Sequence, residues 1–319
     1  MRAVVYGRYG DVDQLEYLDR PEPEMKPNQV LVSVHSIGLN PLDYRIRNGE
    51  MGPLIRFKGP RLIGSDYAGH VVAIGEKVRT FKPGDRVFGM VFQVRTGTSA
   101  ERIVVDEGQL AHSPKSLDDS TSATVPLAAQ TAYQAIHHLA KLKPGQRVLI
   151  NGASGGVGTF AVQLARIAGA HVTAVTSHRN VGWMADLGAH EIIDYTQTDC
   201  CQGSTPYDLF FDCYGNRSFR KARPVLAPKG AYITTIPSPR SYAWSLKNPF
   251  RQQKSRVVVV RNRVADLAAL SALIDQQELR VILEEVYPFS EIRAAYTALE
   301  TKRTRGKIAV RIQGGDSRA

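Results

Sequence analysis

The sequence predicts a two-domain α/β protein in which a β-rich module precedes a doubly wound parallel sheet, and three observations predict it. At 319 residues the chain exceeds what one hydrophobic core organises, since a domain takes roughly 150 residues. Short β-branched runs separated by Gly and Pro occupy residues 30–34, 68–74 and 102–105, the punctuation of an all-β module. From residue 119 onward, apolar strands alternate with helix-period segments, as a parallel sheet covered on both faces requires.

The elements follow in order. Met1-Arg-Ala-Val-Val-Tyr6 reads as a first strand. Lys82-Pro-Gly-Asp85 and Lys143-Pro-Gly-Gln146 each place Pro-Gly before an apolar strand, at 86–89 and 147–150, and fit type II turns. Residues 120–138 contain a helix-like stretch. Between 157 and 168, Val157, Ala161, Leu164, Ala165 and Ala168 share one helical face, and Gly169 stands at the C-terminal cap. Strands are expected at 172–176, 191–194, 208–212, 231–236 and 257–260, then helices at 265–277 and 286–299 and a last strand at 307–312. That strand is expected to return to the first module. The domains are therefore 1–118 with 263–319, discontinuous, and 119–262, followed by a frayed tail from residue 314.

Composition narrows the function. Hydrophobic residues make up 43% and charged residues 22%, as in soluble globular proteins. No apolar run approaches the ~20 residues of a membrane span, and the N-terminus lacks the grammar of a signal peptide. A cytoplasmic protein without a membrane partner is expected. Cys200, Cys201 and Cys213 are the only cysteines, too few for a disulfide framework or a four-thiolate zinc site. The net charge of +11 favours anionic partners. Its basic residues are spread along the chain without interleaved aromatics, so nucleic acid is not the expected partner.

The sharpest motif is Val148-Leu-Ile-Asn-Gly-Ala-Ser-Gly-Gly-Val-Gly158, which runs from a strand through a Gly-rich turn into a helix. Ala153 stands where the first glycine of a dinucleotide fingerprint would be, and Ser154 follows it. Gly155 lets the backbone approach a pyrophosphate, Gly156 adds freedom, and Val157 and Gly158 open the helix whose N–H groups face the anion. At the end of the next strand, Thr176-Ser-His-Arg-Asn180 offers Ser177 and Arg179 where an NAD enzyme offers a carboxylate. A 2′-phosphate pairs with those groups, so NADPH is the expected cofactor.

Nearly the whole chain resembles the zinc-independent, quinone oxidoreductase-like and alkenal/enone reductase branch of the medium-chain dehydrogenase/reductase superfamily. The resemblance rests on Gly38-Leu-Asn-Pro-Leu-Asp43, Gly64-Ser-Asp-Tyr-Ala-Gly69, residues 78–87, Thr131-Ala-Tyr133, the Gly-rich turn, Leu187-Gly-Ala189, Asp194-Tyr195 and Arg305-Gly-Lys307. It implies a GroES-like β-rich catalytic domain joined to a Rossmann doubly wound parallel-sheet domain, and commonly a homodimer, here through an edge strand at 256–260. Zinc alcohol dehydrogenases of the superfamily carry a Cys ligand where this chain has Asn40 and a Gly-His-Glu motif where it has Gly64-Ser-Asp66. Their structural-zinc lobe would fall at 91–99, which has no cysteine. No metal is therefore expected.

The implied reaction is hydride transfer to a quinone or to the β-carbon of an α,β-unsaturated carbonyl, with solvent or a side chain supplying the proton. Asn40 would lie beside the nicotinamide, and Arg45 would contact a developing oxyanion or a phosphate unless it forms a surface salt bridge. Tyr44 and Tyr67 are candidate phenols, Asp43 a loop anchor, and the histidines structural. Thr131, Tyr195, Ile236, Arg305 and Gly306 would complete the cofactor contacts. The alternatives are a zinc-free carbonyl reductase and an NADPH-responsive RNA- or protein-binding protein.

Overall fold

The computed structural model describes residues 1–51, 59–92 and 96–313. The tail from residue 314 and part of the 91–99 loop thus lie outside the described residues. The chain divides into one unit of residues 1–127, 262–277 and 283–319 and a second of residues 128–261 and 278–282.

The first unit is built on a seven-stranded sheet. Across it run Leu283–Pro288, Lys307–Arg311, Gln29–Gly38, Asp66–Ile74, Arg86–Met90 and Leu110–His112, with Arg102–Asp106 also paired to Gln29–Gly38. A smaller sheet joins Arg2–Tyr6 to Glu16–Asp19 and Arg61–Leu62. The core gathers Val4, Tyr6, Val32, Ile37, Tyr67, Val87 and Val310 from these strands, where alternate residues turn to one face, and Tyr296 from a helix at Ile292–Glu300. Both Pro-Gly turns form as expected. Gly84 and Gly145 take φ of +89° and +79°, and Asp85 and Gln146 donate N–H groups to the carbonyls of Lys82 and Lys143 at 3.2 Å.

The second unit carries a six-stranded, wholly parallel sheet. Its order is Glu191–Asp194, His171–Thr176, Arg147–Asn151, Tyr207–Asp212, Leu226–Thr234, Lys254–Val257. The direction of winding reverses between Arg147–Asn151 and Tyr207–Asp212, and doubly wound sheets bind ligands beyond the carboxyl ends of such strands. The Gly156–Ile167 helix buries Ala161, Leu164 and Ala165 and ends at Gly169, with φ of +75°. The Gln163 side chain accepts from the Arg280 N–H at 2.8 Å and donates to its carbonyl at 2.9 Å, which ties residues 278–282 to this unit.

Three expectations need correction. Residues 283–288 form a strand parallel to Lys307–Arg311, and the helix is only Ile292–Glu300. Pro288 cannot donate within a helix, and the returning strand offers β-prone Val286 and Tyr287 a partner. The edge strand is Lys254–Val257 rather than the valine run after it, because the ladder to residues 231–234 closes at Val257. The stretch at 120–138 splits into Asp119–Ser122 and Pro126–Tyr133, where Pro126 opens the second helix. It then widens into a π-helical turn, Gln134–Ala140, closed by Lys141 at φ +52°. Among the described residues no helix is long and apolar enough to cross a membrane.

Candidate functional site

In the second unit the dinucleotide turn is a backbone device. Gly152 takes φ +79°, and a Cβ on Gly158 would stand 2.2 Å from the Gly152 carbonyl oxygen, so only glycine lets helix and turn approach this closely. Gly155 is the N-cap and supplies no side-chain cap, so the N–H groups of Gly156, Val157 and Gly158 await a partner at the positive end of a three-turn helix. A Cβ on Gly155 would meet nothing nearer than 3.6 Å, which leaves room for an anion over the turn. Ala153 is fully buried and Ser154 half-buried beside it.

The floor of this site is fastened by a residue the sequence reading did not single out. Asp212 is fully buried at the end of its strand. Its Oδ1 accepts from Asn151 Nδ2 at 2.7 Å and the Gly215 N–H at 2.8 Å. Its Oδ2 accepts from the Arg217 N–H at 3.0 Å and the Tyr232 hydroxyl at 3.1 Å. Burial pushes this carboxyl up, and the four donors pull against that. Ile236 packs on Gly215, whose absent Cβ would lie 2.0 Å from Ile236 Cγ1.

Ser177 and Arg179 follow the His171–Thr176 strand, half-buried and exposed respectively. The Thr176 hydroxyl is buried there without a hydrogen-bond partner. A carboxylate does reach this corner, contrary to expectation, because the parallel register sets Asp194 beside Thr176. Its Oδ1 accepts from the Thr196 N–H at 2.9 Å and its Oδ2 lies 3.6 Å from His178 Nδ1. These contacts hold Asp194 below the usual carboxylate range, the Thr196 backbone foremost. Tyr195 is 57% exposed next to it, and Thr131 is buried on the Pro126–Tyr133 helix. An open helix N-terminus, a cradle without Cβ atoms and an orphaned hydroxyl fit a nicotinamide dinucleotide.

In the first unit the sequence-predicted catalytic residues separate. Asn40 is buried as the N-cap of Pro41–Arg47. Its Nδ2 donates to Asp66 Oδ2 at 2.9 Å and to the Gly38 carbonyl at 3.3 Å, and its Oδ1 accepts from Lys307 Nζ at 2.5 Å. A carboxylate on one side and an ammonium on the other leave the amide only this orientation. Tyr44 is buried in the hydrophobic core, and Tyr67 is fully buried with its hydroxyl 3.5 Å from the Gln109 carbonyl. Arg45 pairs with Glu50 at 3.1 Å and is partly exposed, so the salt-bridge reading is realised. Arg305 is exposed and donates its N–H to Glu284 at 3.0 Å. Gly306 beside it is buried, at φ +71°.

Around Asn40 lies a buried charge cluster. Lys307 is 3% exposed and also donates to the Leu39 carbonyl at 2.6 Å. Asp43 accepts from the Asn40 N–H at 2.9 Å and from Ser65 Oγ at 2.7 Å, and Asp66 from the Leu127 N–H at 3.0 Å. Burial raises Asp43 to about 6 and Asp66 to about 7 and lowers Lys307, while attraction between ammonium and carboxylates opposes each shift. An amide, a hydroxyl and carboxylates already bonded within the protein, with an ammonium among them, are not the donor set of a zinc ion.

Residues 26–115 match the alcohol dehydrogenase GroES-like domain, and residues 187–310 match the zinc-binding dehydrogenase model. The chain is 33% identical to a chloroplastic quinone-oxidoreductase of Triphysaria versicolor, over 97% of this chain and 98% of that one. It is 31% identical to a mitochondrial NAD(P)H oxidoreductase of Danio rerio, over 98% and 91%. The quinone oxidoreductase of Coxiella burnetii superposes with a TM-score of 0.91 at 29% identity, covering 98% of this chain and 99% of that structure. The protein therefore belongs to the medium-chain dehydrogenase/reductase superfamily, in its quinone oxidoreductase-like group, and is an NAD(P)H-dependent oxidoreductase.

Proposed function

We propose that this protein is an NADPH-dependent reductase of quinones or α,β-unsaturated carbonyls that works without zinc. The observation that carries the reading is the open helix N-terminus at Gly155–Gly158, followed on the next strand by Ser177 and Arg179. The backbone N–H groups of Gly156, Val157 and Gly158 bind the pyrophosphate. Ser177 and Arg179 hold the 2′-phosphate, with Tyr195 at its rim. Thr131 and Ile236, on the same unit, complete the cofactor contacts. Bound NADPH supplies the hydride.

With Arg45 held by Glu50, the negative charge that develops on the acceptor oxygen is met by solvent, which protonates the product: a quinone leaves as hydroquinone, and an enone as the saturated carbonyl. Asn40 has both amide donors committed, which makes it a positioning residue. The reading extends to a cytoplasmic homodimer paired through the open edge of Lys254–Val257, beside which Leu246 and Phe250 are 79% and 90% exposed. A sedimentation mass of one chain counts against that dimer.

The test follows oxidation of NADPH and NADH against 1,4-quinones, 2-alkenals and saturated aldehydes, with and without chelator. Chelator-resistant turnover of quinones or alkenals is expected, with Arg179→Ala raising the KM for NADPH about tenfold and leaving that for NADH unchanged. Reduction of saturated aldehydes alone favours a carbonyl reductase. NADPH binding without turnover favours a nucleotide-responsive binding protein.

A further inference from the structure

We propose that His35, His70 and Asp119 form a binding site for a divalent transition-metal ion of the zinc and copper class on the first unit. None of the three takes part in the hydride-transfer reading, so the two stand or fall separately.

The site is assembled from three elements. His35 lies on the Gln29–Gly38 strand, His70 on the adjacent Asp66–Ile74 strand, and Asp119 begins the Asp119–Ser122 helix. Val34 pairs with Gly69 and Ser36 with Ala68, so His35 is the extra residue of a β-bulge. Bulges re-aim side chains at defined places in a sheet. Here the His35 and His70 rings come to a centroid distance of 4.2 Å. Both then converge on one carboxylate oxygen: His35 Nδ1 is 2.8 Å and His70 Nε2 3.3 Å from Asp119 Oδ2.

All three donor atoms lie within 4.8 Å of one another. Donors placed tetrahedrally around zinc at ~2.1 Å stand about 3.4 Å apart. An ion can therefore replace the hydrogen bonds on Oδ2 with little movement, any proton on the coordinating nitrogens being released to solvent or carried on the other ring nitrogen. Arg86 holds the other oxygen, Oδ1, through Nε at 3.2 Å and Nη2 at 2.9 Å. It fixes the carboxylate as an outer-shell partner does, and its positive charge keeps the affinity moderate.

A salt-bridge staple alone explains less. Arg86 already anchors the helix start through Asp119 and the Leu117 carbonyl, and two imidazoles packed on a single oxygen add little to that anchoring. The side chains of His35, His70 and Asp119 are 26%, 39% and 16% exposed, so an ion can enter and water can complete its coordination. Two imidazoles and a carboxylate suit zinc or copper rather than magnesium or calcium.

The test is calorimetric titration of Zn2+ into the chelator-stripped full chain, paired with Co2+ absorption spectra and melting curves. One Zn2+ per chain and a raised Tm are expected. His70→Ala, at the most exposed ligand, should weaken binding by at least about tenfold and remove the Tm rise. Asp119→Asn should weaken binding in the same way if the histidine variant misfolds. Asp199, Cys200 and Cys201 form the other ligand cluster among the described residues, so the Cys200→Ser, Cys201→Ser double variant should bind zinc as the parent does. No saturable uptake, equal affinity in His70→Ala, or loss of binding in the cysteine variant overturns the proposal.

Discussion

The dinucleotide turn and the buried charge cluster solve the problem of holding polar groups in opposite ways. The turn is written in one contiguous stretch and works through backbone: N–H groups left open at a helix start, and glycines where a Cβ would collide. The cluster draws Asn40, Asp43, Ser65, Asp66 and Lys307 from three distant segments and closes every visible bond internally. The turn keeps its donors free for a ligand, whereas the cluster spends its donors on itself. One region therefore fails by steric intrusion and the other by loss of charge balance.

The largest effect should come from the cluster. Lys307→Met keeps the volume and removes the ammonium, leaving two buried carboxyls without compensation, a loss of about 3–5 kcal/mol. The pH dependence sharpens it. Asp43 and Asp66 titrate at about 6 and about 7 in the folded chain, against an ordinary value of 3.8. They therefore favour folding below pH ~4 and oppose it as pH rises through 6 and 7. Without the ammonium both carboxyls move higher, so the Tm deficit of the variant should grow between pH 5 and pH 8 on the order of the charge cost itself. A small deficit that does not change with pH would show that the cluster is held by packing alone.

A smaller effect separates two glycines three positions apart. In Gly158→Ala the new methyl meets the Gly152 carbonyl at 2.2 Å and Ala153 backbone at 2.7 Å, costing roughly 1–3 kcal/mol of stability. Gly155→Ala meets only an atom at 3.6 Å and should move stability by roughly 0.5 kcal/mol or less. Its methyl projects into the anion's room, so dinucleotide affinity, read by fluorescence titration, should fall about tenfold. Equal melting temperatures for the two variants would break the distinction between a packing glycine and a binding glycine.

Legibility in the sequence follows the same division. The turn, both Pro-Gly corners and the helix cap at Gly169 are local, and each residue carries its own conformational reason. Lys307 carried no such signal. It ends the Arg305-Gly-Lys307 motif and opens the last strand, and only the antiparallel pairing of Lys307–Arg311 with Gln29–Gly38 brings it to Asn40. Asp194 was hidden for the same reason, since register rather than spacing sets it beside Thr176. Residues 286–288 of the Leu283–Pro288 strand read locally as the start of a helix, because the strand's partner is the returning strand, which no local window contains.

The place of the last strand also orders the birth of the molecule. Lys307–Arg311 lies inside the first unit's sheet, between Leu283–Pro288 and Gln29–Gly38. The N-terminal module therefore leaves the ribosome with the outer edge of its Gln29–Gly38 strand incomplete, and with Asp43 and Asp66 lacking their cation, until residues 307–311 are made. The second unit draws almost entirely on residues 128–261 and can close while synthesis continues. Of the two units, the one that begins first is thus completed last.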